Sequence, residues 1–524
     1  MSLLAIPEGL EPESVESALR GRFHCEAGSP RRLERRFFDT FDWRLFQAGR
    51  VLERERSGRV RRLVLRESGA SQPSRVVPGD RVPRFARDLN GADPLRAELA
   101  PLLGVRALLP VGRVRSTVRA LRVLDGEDKT LVRVLIEEGA LDTPDGGSRA
   151  PAVAWVRLTP VKGYEDALAQ VGQYLERDLG LAPLSEEPMV AAARALGRTP
   201  GDYSSKLNYR LEPDQRADAA ARLIHLGLLD TLEANVGGTR ADLDSEFLHD
   251  LRVATRRTRS ALTQIKGVFD PKVVERFKDG FAWLGRITGP ARDMDVYLLA
   301  FDEYRCSLPD EVRGDLNALH EFLLSHQRLE HRRLARRLGS ARFRALLAGW
   351  RRFLESPSPD HPQAPSAARP VRELADERIW KMYRRVRREG LAIGPDSPPG
   401  DLHELRKSCK KLRYLMEFFR SLYDDAGVSE LIRILKILLD NLGAFQDYHM
   451  QAESLRRFAD RMVAEGDAPT ATLLAMGMLV GGLIERQRQA REEFAQRFAE
   501  FDAKEAREAF RALFAPGAPE GREA

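Results

Sequence analysis

An internal repeat in the second half of the chain constrains the fold more than any other feature of the sequence. The segment "HDLRVATRRTRSALTQIKGVF" from His249 aligns without gaps with "HELRKSCKKLRYLMEFFRSLY" from His403, at a spacing of 403 − 249 = 154 residues, here called the repeat spacing. At the same spacing, "GPARDMDV" from Gly289 aligns with "GAFQDYHM" from Gly443. Similarity at a fixed period indicates repeated architecture, so we expect two similar structural units in this half.

The repeats lie in a part of the chain that has helical periodicity. Beyond Lys206, segments such as "ADAAARLIHLGLLDTLEANV" place apolar residues at helical spacing, and strand-like segments almost vanish. The Pro- and Ser-rich stretch "ESPSPDHPQAPSAARP" separates the two repeats. We therefore predict an all-α domain over residues 203–501, with repeat A at about 203–354, a loop at 355–370 and repeat B at about 371–501. Residues 502–524 form a predicted C-terminal tail.

Residues 1–182 show a different pattern, which is typical of β-structure. Segments such as "RVRRLVLRES" and "KTLVRVLIEEG" have alternating or β-branched residues and are separated by Gly, Pro and Asp. The stretches "PSRVVPGDRVPRF" and "LDTPDGGSRAP" indicate loops, and "YEDALAQVGQYLERDL" indicates a closing helix. We predict an α+β multidomain chain, in which an antiparallel sheet or barrel is followed by a linker at residues 183–202 and by the helical domain.

Composition limits the class of protein. A content of 43% hydrophobic and 31% charged residues is typical of a folded, soluble chain. The longest apolar stretch, around Thr470 to Ile484, is interrupted by glycines and too short for a bilayer, and no signal peptide is visible. We expect a cytoplasmic protein without a membrane partner. The odd, widely spaced Cys25, Cys306 and Cys409 argue against a disulfide framework.

Each repeat carries a stripe of basic residues along one side of a helix. At about 100° per residue, the first stripe consists of His249, Arg252, Arg256 and Arg259, and the second of His403, Arg406, Lys410 and Arg413, with Arg257 and Lys411 beside them. Like charges one turn apart repel one another, so these stripes predict an anion or an acidic partner. The alternative is a solvated helix face, which the recurrence of the stripe in the same phase disfavours.

Acidic residues near the stripes allow another interpretation. His249 and Asp250 resemble a metal-phosphohydrolase pair, but their counterparts are His403 and Glu404, and no His/Asp cluster at metal-ligand spacing accompanies them. We therefore predict neither a catalytic residue nor a metal ligand in these helices. Two aligned carboxylates further on are expected to hold an arginine or a backbone N–H in place, with metal bridging as the alternative; these are Asp293 and Asp447.

The two helices resemble the conserved histidine α-helical domain family, abbreviated CHAD. The resemblance rests on the doubled His-x-x-Arg-x-x-x-basic-basic-x-Arg motif and on the Gly-x-x-x-Asp segments, and it covers roughly residues 203–501. It implies two four-helix bundles related by a pseudo-twofold axis, around a basic groove that binds inorganic polyphosphate. The implied ligands are His249, Arg252, Arg256, Arg257, Arg259, His403, Arg406, Lys410, Lys411 and Arg413. Additional candidates, without a motif match, are Arg378, Lys381 and Arg385.

The first half resembles CYTH domains, the triphosphate tunnel fold, in "RRFFDTFDWRLFQAGRVLERERSG" and "VRLTPVKGYEDALAQVGQYL". Active members hold divalent metal with alternating Glu side chains and phosphate with Arg and Lys. The Glu-x-Glu-x-Lys of their first strand is replaced here by "SLLAIPEG", and "WVRLTPV" stands where a further acidic pair is expected. We therefore expect a degenerate barrel without catalysis. The remaining carboxylates, which could hold Mg²⁺ or form salt bridges with arginines, are Glu53, Glu55, Glu137 and Glu138.

Three functions stay open at this point. We favour non-catalytic binding of inorganic polyphosphate, because affinity for a flexible polyanion comes from charge and counterion release. By resemblance, this function extends to association with polyphosphate granules. A metal-dependent triphosphatase or polyphosphatase in the first half is the second possibility. The third, nucleic-acid binding, is disfavoured because the aromatic residues of the repeat helices lie on their apolar side. No cofactor is implied, and the oligomeric state stays open.

Overall fold

The structure divides after Ser204 into two units of different class. The computed structural model describes residues 3–70, 72–89, 93–142, 153–360 and 362–515. The first unit is built on an antiparallel sheet, and the second, which begins at Ser205, is built on α-helices. The predicted fold class, a sheet domain followed by an all-helical domain, is confirmed.

Ten strands of the described chain form one antiparallel sheet. They are β1 (Leu3–Ala5), β2 (Cys25–Ala27), β3 (Arg31–Asp39), β4 (Arg50–Ser57), β5 (Val60–Glu67), β6 (Arg75–Pro78), β7 (Leu109–Leu124), β8 (Thr130–Leu141), β9 (Val153–Pro160) and β10 (Ala182–Pro183). The strand order is β10-β1-β9-β8-β7-β3-β4-β5-β6, and β2 pairs with β7. Because strands that follow one another along the chain are mostly neighbours, short connections suffice for this topology.

Helices cover both faces of the sheet. They are α1 (Pro12–Arg22), α2 (Arg44–Gln47), α3 (Pro94–Leu103), α4 (Glu165–Arg177) and α5 (Pro188–Ala195). Helices α1 and α4 contribute buried Leu19 and Leu175 to the core on one face. On the other face α5 packs closely on β7, because a Cβ at Gly112 would lie 2.6 Å from the Cβ of Ala192.

Two segments of the first unit differ from the prediction. Strand β6 lies within the predicted loop "PSRVVPGDRVPRF" and pairs with β5 as the last strand of the sheet, where a proline is tolerated. The predicted linker at 183–202 contains α5, whose Met189 and Ala193 are buried in the core, so this segment is part of the first unit. The predicted loop "LDTPDGGSRAP" lies, from residue 143 onward, outside the described residues.

The second unit consists of long helices. They are α6 (Ala217–Ala241), α7 (Ser245–Gln264), α8 (Pro271–Leu299), α9 (Phe301–Cys306), α10 (Asn317–Leu338), α11 (Ala341–Glu355), α12 (Val371–Leu391), α13 (Pro399–Phe419), α14 (Asp425–Glu465), α15 (Thr470–Phe501) and α16 (Lys504–Phe514). Helices α12, α13 and α14 begin one repeat spacing after α6, α7 and α8 respectively, because 371 − 217, 399 − 245 and 425 − 271 all equal 403 − 249. The sequence repeat is therefore a repeat of helices in the same order and register.

An approximate twofold axis relates the two repeats. The backbone N–H of Ala217 donates to the carbonyl of Arg369 at 2.9 Å, and that of Val371 donates to the carbonyl of Gln215 at 2.8 Å. At the repeat spacing, Val371 corresponds to Ala217 and Arg369 corresponds to Gln215, so the second bond is the counterpart of the first. A twofold axis produces such reciprocal contacts. The residues between these partners form an antiparallel bridge. The predicted pseudo-twofold arrangement is confirmed.

One hydrophobic core runs through both repeats. A second core is formed by the C-terminal parts of α8 and α14, by α9, and by the N-terminal parts of α10 and α15. Helix α16 belongs to the first of these cores, since Phe510 and Phe514 are fully buried. The ring of Phe510 stacks on that of Tyr383 at a centroid distance of 4.0 Å. The predicted tail at residues 502–524 therefore includes a packed helix, because a short amphipathic segment finds its apolar partners on α12.

Candidate functional site

Helices α7 and α13 carry the two basic stripes and contact each other. The side chain of Asp244 begins α7 by accepting hydrogen bonds from the backbone N–H groups of Glu246 at 2.9 Å and Phe247 at 3.2 Å. The apolar sides of the helices are in the core, where Leu251 and Leu405 are fully buried. The basic stripes are therefore on the sides of the helices that do not form the core.

The two histidines contact equivalent residues of the neighbouring helices, but with opposite hydrogen-bond direction at Nδ1, because a guanidinium donates and an amide oxygen accepts. The Nδ1 of His249 lies 2.9 Å from Nη2 of Arg292 on α8, and the Nδ1 of His403 lies 3.0 Å from Oε1 of Gln446 on α14. Arg292 and Gln446 are themselves equivalent positions of the two repeats. Burial first, and the charge of Arg292 second, lower the pKa of His249 below its usual value. This ring is therefore neutral near pH 7, and because a guanidinium can only donate, Nδ1 accepts and Nε2 carries the proton.

Arg252 is bonded to α8 and Arg406 to α14, the helices that also contact His249 and His403 respectively. The Nη1 of Arg252 donates to Thr288 Oγ1 at 3.0 Å and to the carbonyl of Gly285 at 3.2 Å. The Nη2 of Arg406 donates to Asp447 Oδ1 at 3.3 Å. These contacts involve one nitrogen of each guanidinium, a group that has five N–H donors. Asp447 therefore forms an ion pair with an arginine of the second stripe.

Asp293 stands at the equivalent place in repeat A and acts on Arg252. Burial lowers the pKa of Arg252, and the charge of Asp293 opposes that shift. Each repeat thus contains an arginine whose charge is stabilised by the aligned carboxylate. The arginine side chains are held in position before any ligand binds, which reduces the entropy lost on binding.

Arg256 and Lys410, which occupy equivalent positions, lie where the two helices meet. The Nε of Arg256 donates to the Tyr414 hydroxyl of the other repeat at 2.7 Å. Burial first, and then the charges of Arg406, Arg256 and Arg413, lower the pKa of Lys410 from 10.5 to about 8 against the opposing effect of Asp447. Besides burial, the three arginine charges act on Lys410 in the same direction, so four basic side chains are gathered at this place. The two repeats together therefore form one cationic cluster.

Other members of the predicted ligand set are partly neutralised. Arg257 Nη2 donates to Glu417 Oε2 at 3.0 Å, and its Nη1 donates to the carbonyl of Ser205 at 3.2 Å. The Nε of Arg413 lies 3.4 Å from Oε1 of the same Glu417. Arg259 is exposed on α7. Arg257 and Arg413 therefore share one carboxylate, which reduces the charge that they can offer to a ligand.

Lys411 lies apart from the cationic cluster and faces α12. Burial first, and then the charge of Arg385, lower the pKa of Lys411. Together with Arg378, Lys381 and Arg385 it lines a cleft of about 1300 Å³, here called the α12 cleft. Arg385 is also paired with Glu389, at 2.6 Å. The three additional candidates on α12 are thus brought together with Lys411, and the described lining of the cleft includes neither histidine of the stripes.

Several residues of the site are absent from the predicted set, among them Arg292, Gln446, Tyr414 and Glu417. A signal exists for the first two, since each immediately precedes one of the aligned aspartates in "GPARDMDV" and "GAFQDYHM". Tyr414 and Glu417 have no such signal, because their roles depend on arginines of the other repeat. Sequence spacing places a residue on a face of a helix but does not identify what that face meets.

The candidate metal ligands of the first unit are engaged by an arginine. Arg35 on β3 donates to Glu137 on β8, and its Nε lies 3.3 Å from Glu55 Oε1 and 3.7 Å from Glu53 Oε1 on β4. Arg35, Glu53 and Glu137 are at most 3% exposed. Burial opposes ionisation, but the charge of Glu137 and then that of Glu53 raise the pKa of Arg35. Glu138 is exposed on β8.

A second buried pair extends this ion network. The guanidinium of Arg66 on β5 donates to both carboxylate oxygens of Glu187, at 3.0 and 2.7 Å, and the backbone N–H of Gly69 donates to the same carboxylate. Burial is the largest influence on the pKa of Glu187, but the bonds from Arg66 outweigh it and lower that pKa. Glu187 immediately precedes α5 in the predicted linker, so the sequence gives no indication of this role.

Neither a metal cluster nor a membrane-spanning helix is found in the described part of the chain. Across residues 3–70, 72–89, 93–142, 153–360 and 362–515, no group of three or more His, Cys, Asp or Glu side chains is placed to hold a metal ion. No helix in these ranges has the length and hydropathy needed to cross a bilayer. Two carboxylates of the first unit, Glu137 and Glu187, are instead partners of arginines.

The model of the CHAD domain family matches residues 224–456. That range begins in α6 and ends in α14, so it includes both basic helices and the residues on α8 and α14 that position them. The resemblance predicted from the doubled motif is therefore confirmed: the second unit contains a CHAD domain.

Individual relatives are distant. An uncharacterized protein of Mycobacterium tuberculosis (strain CDC 1551 / Oshkosh) is 27% identical over 288 residues, 53% of this chain and 51% of that protein. The chain thus spans about half the length of the curated relatives that it matches. The CHAD domain from the plant Ricinus communis is 22% identical, with a TM-score of 0.46, and covers 60% of this chain and 97% of its own. A putative adenylyl cyclase from Hippeastrum, described as having a dominant triphosphatase activity, is 14% identical, with a TM-score of 0.25, and covers 39% of this chain and 98% of its own.

Proposed function

We propose that the chain binds inorganic polyphosphate across helices α7 and α13 and does not cleave it. The observation that carries this proposal is the cationic cluster where the repeats meet. There, burial and the charges of Arg406, Arg256 and Arg413 lower the pKa of Lys410 to about 8. Positive charge gathered at fixed positions is relieved by a polyanion, and displacement of that polyanion's counterions adds to the affinity. The match to the CHAD family, which the sequence resemblance links to polyphosphate, supports the same ligand.

The symmetry of the site favours polyphosphate over nucleic acid. A polyphosphate chain has no chemical direction, so a pseudo-twofold site offers equivalent contacts to it in either orientation. His249 and His403 lie beside Arg292 and Gln446 in the two repeats, and Arg252 and Arg406 follow them on each stripe. The arginines and the Nε2–H of His249 can donate hydrogen bonds to phosphate oxygens without reading a base. A single nucleic acid strand has a direction, and the aromatic residues of the two basic helices are buried in the core, where they offer no stacking platform for bases.

Binding without cleavage is the form of the proposal that the first unit supports. Metal-dependent hydrolysis requires carboxylates that coordinate a divalent cation. Glu53, Glu55 and Glu137 instead surround Arg35, and Glu187 holds Arg66. A metal ion at these carboxylates would have to displace buried arginines, which would leave uncompensated charge in the core.

The direct test is a titration of the full chain against labelled long-chain polyphosphate, with DNA of equal phosphate content in parallel. We expect saturable binding whose logarithmic affinity falls linearly with the logarithm of salt between about 50 and about 200 mM, and weaker binding of DNA. Equal affinity for DNA would support the nucleic-acid alternative. Phosphate release from tripolyphosphate with Mg²⁺ or Mn²⁺, lost in Glu137→Ala, would support a triphosphatase instead.

A further inference from the structure

The repeat produces two equivalent clefts, and the chain itself fills one of them. Residues 205–211, here called the strap, cross the cleft between α6 and the end of α13. The Tyr209 hydroxyl donates to the carbonyl of Phe418 at 3.0 Å, and the backbone N–H of Leu211 donates to Ser421 Oγ at 3.1 Å. The Tyr209 ring lies over Gly227, where an added Cβ would be 3.7 Å from Tyr209 Cδ1. Tyr209 therefore occupies this cleft as an aromatic plug.

The α12 cleft is the counterpart of this filled cleft. At the repeat spacing, Gly227 on α6 corresponds to Lys381 on α12, and Phe418 on α13 corresponds to Gln264 on α7. Both counterparts line the α12 cleft. The counterpart of Tyr209 itself is Gln363, which also lines that cleft. The α12 cleft thus has the walls of a strap-binding site, but a glutamine stands in the position of the aromatic plug.

The lining of the α12 cleft combines an apolar base with a basic rim. Ile265, Phe269 and Leu415 are buried at the base, and Trp380 is partly buried beside them. Eight lysine and arginine side chains line the cleft, against two glutamates. Among the basic side chains, Lys278, Arg384 and Arg388 are exposed. An occupant therefore needs both apolar groups and negative charge.

We propose that the α12 cleft binds an extended, acidic segment of a partner protein, which inserts an aromatic side chain where Tyr209 lies in the filled cleft. The charge of the rim selects acidic residues on either side of that aromatic group. The strap of a second copy of this chain does not fit the requirement, because it carries Lys206 and Arg210 beside Tyr209.

Polyphosphate satisfies this cleft less well than an acidic peptide. It supplies negative charge but no apolar group, so the exposed part of Trp380 would stay in contact with water. An inserted aromatic ring covers that surface, as Tyr209 does over Gly227. The inference does not depend on polyphosphate binding to the cationic cluster, since the two sites use different residues.

The test uses a fluorescent peptide, Asp-Leu-Asp-Tyr-Asp-Leu-Glu, titrated into the full chain. It keeps the Leu-x-Tyr-x-Leu spacing of residues 207–211 and places acidic residues around it. We expect saturable binding that weakens about tenfold when the peptide's Tyr is replaced by Ser. Arg384→Glu/Arg388→Glu should weaken binding about tenfold or more, because both charges lie on the rim. The matched control is Arg433→Glu/Arg488→Glu, in which exposed arginines of α14 and α15 are reversed.

A second variant rebuilds the plug. Gln363→Tyr/Lys381→Gly recreates in repeat B the pair formed by Tyr209 and Gly227, so we expect it to abolish peptide binding while the thermal unfolding curve stays cooperative. The proposal is overturned if the peptide shows no saturable binding up to about 1 mM. It is also overturned if the rebuilt plug leaves peptide affinity unchanged.

Measurement of polyphosphate affinity in the same variants separates the two proposals. If both hold, Arg384→Glu/Arg388→Glu retains polyphosphate binding, and Arg252→Gln/Arg406→Gln retains peptide binding. Loss of polyphosphate binding in the rim variant, together with failure of the peptide to bind wild type, would identify the cleft as a phosphate site and overturn peptide docking.

Discussion

Polyphosphate binding should depend on pH through Lys410. In the free protein, burial and the charges of Arg406, Arg256 and Arg413 lower the pKa of this side chain from 10.5 to about 8. A polyanion bound to the same cluster stabilises the protonated lysine and raises its pKa. Binding is then coupled to proton uptake, so affinity is highest below about pH 8 and falls as the pH rises through that value.

The size of the effect follows from the pKa difference. If bound polyphosphate restores the pKa of Lys410 from about 8 to 10.5, the linkage is worth at most about 3 kcal/mol, and solvent screening reduces this value because the side chain is partly exposed. Between about pH 7.5 and about pH 9.5 this linkage predicts an affinity loss of about 20-fold. The assay is fluorescence anisotropy of labelled long-chain polyphosphate, at constant ionic strength because salt alone changes the affinity.

Two variants assign the pH dependence to this residue. Lys410→Met should bind polyphosphate more weakly at about pH 7 and lose most of the slope above about pH 8. Lys410→Arg should keep the affinity at low pH and also lose the slope, because arginine stays charged throughout. A wild-type affinity that is constant across this range, or an unchanged slope in Lys410→Met, would refute the placement of the ligand on this cluster.

Three further predictions concern the buried ion network, the partly neutralised arginines and the first histidine. Glu137→Ala should lower the free energy of unfolding by about 3–5 kcal/mol, since it leaves Arg35 buried without its closest partner; an unchanged urea midpoint would contradict this. Arg257→Ala should weaken polyphosphate binding less than Arg252→Ala, because Arg257 is already paired with a carboxylate; equal losses in titrations would show that this pair opens on binding. Wild-type affinity should rise on acidification, as the neutral His249 gains a proton next to phosphate, and His249→Gln should reduce this rise in calorimetry.

The helical half is largely predictable from sequence because its repeat preserves spacing as well as residue type. Helices α6, α7 and α8 recur at the repeat spacing with the same starts, so an alignment of two motifs also aligns the helices around them. The pairing of Arg257 with Glu417 cannot be predicted in this way. Glu417 aligns with Thr263, so the repeat does not mark it, and its contact joins the two repeats. Neither local periodicity nor the repeat alignment therefore predicts this pair.

In the sheet half, strand register decides between alternatives that the sequence leaves open. By residue type alone, Glu53 and Glu137 are compatible with either a metal or an arginine partner. Arg35 lies opposite Glu55 across β3 and β4, and since side chains alternate between the faces, Glu53 points to the same side. The residues of α5 are assigned to the predicted linker because eight residues are too few to show a clear helical period. The position of this helix depends on the close approach to β7 that Gly112 allows.

If the two basic stripes form one polyphosphate site, binding should depend on the equivalent arginine of each stripe. Arg252→Gln/Arg406→Gln should be compared with wild type and with Arg433→Gln/Arg488→Gln, in which arginines paired with glutamates one turn away are changed instead. We predict that the stripe variant binds polyphosphate at least about tenfold more weakly, with a salt slope smaller by about 2, and that the control binds like wild type. A stripe variant that keeps wild-type affinity and salt slope would show that polyphosphate does not bind to the stripes.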